Sequence, residues 1–528
     1  MLDSVIRGGW LYDGSGAPPR VGDLAVRGGR IVAVGDAVPP GAAAEELDAA
    51  GLAVAPGFVD LHAHSDISLL SDPACVSSVA QGITTQAVGL CGFSAAPVSK
   101  ESIATMVEEE PHAGYPDVTW DWETIGGYRE MVARARPATN VATLIGHNTL
   151  RRFAMGPAQR PPTAAELVRM RDLLRAALRE GARGFSTGLS YAPGCFADQD
   201  ELVALARVAA EEGRPYHTHM RYGGLGVREM LAEAIETAER SGVELNVSHL
   251  FPSRADPPDE ADRVIDMLEA ARARGARVTF DLTPFPWGGG AWAQSLPTWA
   301  RDGGTARTVE RLRDPETRVR IVAETWGPKA SPWMSEWDDQ LIVKVARPQN
   351  APLVGRSIGE IARARGRPPR ETALDLVAED GQFWVAPITK RQADLDRMLA
   401  HPLCVPMTDG MSSHPEKHRA LGLMPKSFGA LPLVLGSYVR ERGVLPLAEA
   451  IRRMTSVPAE RLGLGDRGML AAGRAADVVV FDPATIANRS SPAEPATPPV
   501  GIRRVMVNGE WVVIEGALTG RRPGWALS

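Results

Sequence analysis

The chain has 528 residues, more than one simple core supports, so a large unit with at least one smaller companion is expected. Hydrophobic residues make up 44%, with 53 glycines and 42 prolines, which fits a loop-rich soluble globular protein. A net charge of -6 without any basic run argues against nucleic acid or an anionic membrane as partner and leaves a small molecule.

The amino terminus, MLDSVIRGGWLYDGSG, alternates like a strand and lacks the charged and apolar regions of a secretory leader. With no uninterrupted apolar stretch near 18 residues, a cytoplasmic protein is expected. Cys75, Cys91, Cys195 and Cys404 are too few for a disulfide framework, so each is a free thiol or a ligand. Lysine is scarce and arginine carries most of the positive charge.

Residues 1–55 read as short strands split by turns, and residues 464–528 read alike, with a type I′ signal at Asn508-Gly509. Neither end can close a core alone, so the two are expected to pack as one small β-sandwich. Between them, at 56–463, strands alternate with helices. The strand ends are VDLHAH, TTQAVGLCG, VATLIGHN, ARGFSTGLS, PYHTHM, ELNVSHL, RVTFDLTP and LCVPMTDG. Helical stretches such as TAAELVRMRDLLRAALREG show 3.6-residue apolar spacing and glycine stops. Eight such units predict an α/β fold, a (β/α)₈ barrel. The segment 286–345, between strands seven and eight, breaks the alternation and carries Trp287, Trp292, Trp299, Trp326, Trp333 and Trp337. It is expected to be an inserted subdomain with its own tryptophan-rich core.

His62 and His64 end the first barrel strand one residue apart, so both imidazoles share a face that looks into the barrel mouth. Cys91 ends the second strand, His219 the fifth, His249 the sixth, and Asp409 the eighth. A thiolate with two neutral imidazoles gives zinc three ligands and leaves a position open to water. His217 shares its strand face with His219, which is preferred for its place in THMR, while His147 is expected to support by hydrogen bonding. His112, His401 and His418 are expected on the surface or in loops.

The strings RGGRIVAVG, PGFVDLHAHSD, GLCGFSAAPV, WDWETIGGY, GFSTGLSYAPG, THMR, VSHL, TDG, MTSVPAERLGLGDRG and GRAADVVVFDP span nearly the whole chain. Together they resemble the amidohydrolase superfamily, and within it the N-acyl-D-amino-acid deacylases (D-aminoacylases). The resemblance implies one tightly bound zinc on Cys91, His219 and His249. It also implies a weaker second site on His62 and His64 with Cys91 bridging, and Asp409 as general acid/base. The reaction implied is hydrolysis of a non-peptide amide of a small molecule, with Tyr191 placed to hydrogen-bond the oxyanion. Self-association is left open.

The chain departs from that family where a substrate carboxylate is held. A lysine is expected after the sixth-strand histidine, a tyrosine in DxYPY, and an arginine in HPR. Here stand Phe251, then Thr283 with Phe285, then Glu416. The substrate is therefore expected to lack the usual free carboxylate, unless Arg221, Lys417 or Arg419 supplies another clamp. N-acyl-D-amino-acid deacylation, cyclic amide or imide hydrolysis, and a non-catalytic scaffold are the other readings.

Overall fold

The eight apolar runs become eight parallel strands: Phe58–Asp60 (β1), Ile83–Val88 (β2), Asn140–Thr143 (β3), Phe185–Gly188 (β4), Tyr216–His219 (β5), Leu245–Val247 (β6), Val278–Leu282 (β7) and Cys404–Pro406 (β8). Every residue in them is buried, as a parallel sheet covered on both faces requires. The computed structural model describes residues 1–109, 113–156, 158–221, 226–327, 334 and 336–528, so His112 and Trp333 lie outside the described residues.

β1, β2 and β3 pair in order, β3 continues as Ile145–Gly146 to reach β4, and β4 to β8 follow in sequence. The ring closes through the HxH segment itself: Asp409 N donates to His62 O at 2.9 Å and His64 N to Gly410 O at 2.7 Å. Below that seam, buried Asp60 accepts from Thr408 N at 3.1 Å and Thr408 Oγ1 at 2.5 Å. The metal-competent histidines therefore stand past the end of β1, on the seam rather than within the strand.

The outer helices start and stop where the sequence signals them. Thr163 and Glu166 form a capping box for the helix Ala164–Arg179, and Asp198 caps Gln199–Glu211. Gly242, at φ 75°, ends Val227–Ser241.

Strands from both ends of the chain form one nine-stranded sheet. Leu2–Leu11, Arg20–Arg27, Arg30–Val34 and Ala43–Asp48 join Val478–Phe481, Ile502–Val507 and Glu510–Ile514 through Ala53–Pro56, with Ala517–Leu518 at the far edge. The sheet folds over a core that includes Ile6, Leu24, Val54, Val480, Met506 and Trp511. Its arms meet where Ala476 N donates to Gly29 O and Gly509 N to Ala476 O. Positive φ at Asn508 (48°) and Gly509 (87°) gives the turn its sequence signalled. Its other face supplies Ala55, Val479, Phe481 and Val505 to the barrel's own core.

Between β7 and β8 the chain leaves the barrel and forms a three-stranded antiparallel sheet of Gly290–Ala291, Trp384–Ala386 and Leu341–Lys344. Because Trp384–Ala386 is its central strand, the excursion runs well past residue 345, the boundary expected from sequence. Trp292 is fully buried at its centre, with Trp299, Trp326 and Trp337 packed around it. Trp287 differs: it stacks on Phe285 at 4.9 Å, at the root of the excursion. That root is closed by Gly288 N to Pro387 O at 2.9 Å and by Thr389 N and Lys390 N to Pro286 O at 3.1 and 3.0 Å. No helix among the described residues is long and apolar enough to cross a membrane.

Candidate metal centre and active site

Donor atoms of Cys91, His219 and His249 lie within 4.8 Å of one another, and so do those of His62, His64 and Cys91. Cys91 is common to both groups. Its Sγ is 3.3 Å from His62 Nε2 and 3.5 Å from His249 Nε2, and His219 Nδ1 is 2.8 Å from His249 Nε2. Three of the seven described non-glycine residues with positive φ are Cys91 (50°), His249 (36°) and Asp409 (47°). Such backbone is held only where surrounding structure over-determines it, and it concentrates at functional sites. The close approach is built in, since a Cβ on Gly188 would lie 2.0 Å from Cys91 O.

Asp281, at the inner end of β7, orients two of these ligands. Its Oδ1 accepts from His249 N at 2.5 Å, while Oδ2 accepts from Asn246 Nδ2 at 2.6 Å and faces His62 Nδ1 at 3.3 Å. A carboxylate behind a ligating imidazole fixes its tautomer and raises its basicity.

Protonation states suit a cation. Burial pushes the Cys91 thiol up, but His62, His219 and His249 outweigh it and hold the group well below the thiol range, as thiolate. Burial, then His249, pushes His219 down, so it stays neutral. For His64, burial works downward but Asp409 and Cys91 raise it to about 9. His62 is likewise raised, against burial, by Cys91 and Asp281. A thiolate with a neutral imidazole is a donor set for a soft or borderline divalent ion, so the residues present fit a metal.

Asp409 Oδ1 is 3.2 Å from His64 Nε2 and 3.6 Å from His62 Nε2, and Lys426 Nζ donates to Oδ2 at 2.5 Å. Burial raises its carboxyl, but Lys426 and then the histidines hold it well below the usual carboxylate range. Tyr191 OH lies 3.3 Å from His219 Nδ1, at the rim of the cluster. His217 instead meets Asn246 Nδ2 at 3.3 Å, one layer below the donors. His147 pairs with buried Glu201 at 2.8 Å as a support.

Residues 45–513 match the amidohydrolase family. The chain belongs to that family. It is 33% identical to an N-acyl-D-glutamate deacylase of Alcaligenes xylosoxydans xylosoxydans, over all of this chain and 96% of that protein. The crystal structure of an N-acyl-D-glutamate deacylase from Bordetella bronchiseptica, complexed with zinc and a phosphonate inhibitor, is 34% identical at TM-score 0.83, covering 100% of this chain and 99% of that one. A D-aminoacylase studied for its binuclear metal centre is 30% identical at TM-score 0.81, with both chains covered in full. This amidohydrolase is thus a D-aminoacylase-like hydrolase of carbon–nitrogen bonds other than peptide bonds.

Three expectations fail on the structure of this amidohydrolase. Arg221 does not face the site: its Nε bonds Glu233 at 3.0 Å, and Nη1 and Nη2 bond the carbonyls of Cys195 and Ala197 at 2.7 and 2.9 Å. Glu416 is exposed on the surface. Lys417, also offered as a clamp, pairs with Asp117 at 2.7 Å. His418, expected on the surface or in a loop, does lie in the loop after β8 and is buried there, with Nε2 at 3.1 Å from Ser71 Oγ.

Phe251, Thr283 and Phe285 do come together, around a lysine the sequence did not offer. Lys390 Nζ donates to Thr283 Oγ1 at 3.3 Å, Phe285 O at 3.1 Å and Trp287 O at 3.3 Å, and lies 4.4 Å from the Phe251 ring centre. The expected loss of a carboxylate clamp at Phe251 therefore does not follow, because Lys390 brings a cation there from a distant segment. Asp281, Asn246, Lys390 and Lys426 all went unseen. The one sequence signal for the lysines was rarity: only six occur in the chain.

Proposed function

We propose that this amidohydrolase removes the acyl group from small N-acyl amino acids of the D series, using zinc held by Cys91, His219 and His249. The observation that carries this is the thiolate of Cys91, shared by two donor groups beside a carboxylate that Lys426 keeps ionised. Bound there, zinc would polarise the amide carbonyl and lower the pKa of water. His62 and His64 with Cys91 form a second, weaker site, because both imidazoles hold protons that a metal must displace.

Asp409 accepts the proton of the attacking water as its oxygen bonds to the amide carbon. It returns that proton to the nitrogen as the C–N bond breaks, giving a carboxylic acid and an amine. Low basicity makes Asp409 a ready proton donor in the second step. Tyr191 would donate to the developing oxyanion. The four free cysteines suit a reducing compartment, the cytoplasm.

The test is hydrolysis by zinc-loaded protein of N-acetyl-D-amino acids, N-acetyl-L-amino acids, their carboxamides and cyclic imides. Turnover of linear D compounds is expected. Turnover of cyclic imides alone would replace the reading.

A further inference from the structure

Lys390 is 4% exposed, and the groups its ammonium bonds or stacks against are all neutral. Its three acceptors are a hydroxyl and two backbone carbonyls at the top of β7, and its fourth neighbour is the face of Phe251, two residues past His249. The charged groups nearest it are Lys426 and Asp409, which are already paired with each other at 2.5 Å. Among the described residues no carboxylate forms an ion pair with Lys390. A buried ammonium without an anion is costly, and lysine is rarely buried unless paired.

Closing the root of the inserted subdomain does not need that charge. Backbone bonds from Gly288, Thr389 and Lys390 close it already. What the charge lacks is an anionic partner, and it lies within electrostatic reach of Asp409 and Lys426 and against Phe251, two residues past His249. The geometry points to Lys390 as the group that binds the free carboxylate of the substrate. An N-acyl amino acid carries that carboxylate one carbon from the amide nitrogen. A cation against Phe251, two residues past His249, and within electrostatic reach of Asp409 would take that carboxylate with the amide set against the cluster. Phe251, with the stacked Phe285 and Trp287, walls the contact from water, which strengthens a charge-assisted hydrogen bond. The inference deepens the deacylase reading and rests on it.

The experiment compares zinc-loaded wild type, Lys390→Met and Lys390→Arg on paired substrates, N-acetyl-D-amino acids and the corresponding carboxamides. The wild type is expected to prefer the acids. Lys390→Met should lower kcat/KM for the acids on the order of 10²-fold, as for truncating one side of a buried charge pair, and leave the carboxamides within a factor of about three. Lys390→Arg, which keeps the charge, should retain part of the preference. Equal loss on acids and carboxamides would make Lys390 a clip for the subdomain root and overturn the inference, as would no loss on either. If wild type hydrolyses neither member of any pair, the deacylase reading falls and the inference with it, which the wild-type data alone reveal.

Discussion

Asp409 is gripped from two sides, by Lys426 on one oxygen and the two histidines on the other. Asp409→Asn keeps the shape and removes the proton carrier. Turnover should fall by about 10² or more while zinc content and folding stay, measured by steady-state kinetics with metal analysis. Lys390 makes a second residue-level prediction. Burial, aided by Lys426 and opposed by Asp409, pushes it down to about 7 from an ordinary 10.5. Between those values the unfolded chain holds more protons than the folded one, so stability relative to Lys390→Met rises with pH across that window and is level below it. The expected gain is a few kcal/mol, on the order set by the shift, read from urea midpoints at pH 7 and at about pH 10. Parallel curves for the two proteins would refute it. The clustering of His62, His64, Cys91, His219 and His249 was legible because these His and Cys residues end apolar runs, where a barrel strand opens into its mouth. Lys390 was not, because its position follows from the pairing of two distant segments at the subdomain root.

At the scale of elements, the eight strands were legible for the same reason that they are stable: each is a short apolar run, fully buried and bounded by turn residues. The end of the inserted subdomain was not legible. Residues 358–386 run helix, helix, strand, a pattern indistinguishable in sequence from another β/α unit of the barrel. The last residues of the chain show a further contribution that local pattern hides. Val141 N donates to Trp525 O, Leu527 N to Val141 O and Gly524 N to Pro137 O, so the tail runs alongside β3. Deleting residues 519–528 should cost at least about 3 kcal/mol, near 1 kcal/mol for each of these three bonds with others such as Asn508 Nδ2 to Pro523 O and Trp525 N to Asn140 Oδ1 lost too, and a denaturant titration of the truncated protein checks this. An unchanged midpoint would mean the tail is merely draped.

For the whole molecule, the sheet made from both ends packs against the barrel's core, and the inserted subdomain springs from a root just past the carboxyl end of β7. The proposed function turns on a metal held by Cys91 with His219 and His249, on which amide hydrolysis would depend. The direct measurement is zinc content per chain for wild type and Cys91→Ala, alongside hydrolysis of N-acetyl-D-amino acids. The account predicts about one firmly held zinc in the wild type, and loss of both metal and turnover in Cys91→Ala. Full zinc occupancy in folded Cys91→Ala would contradict it.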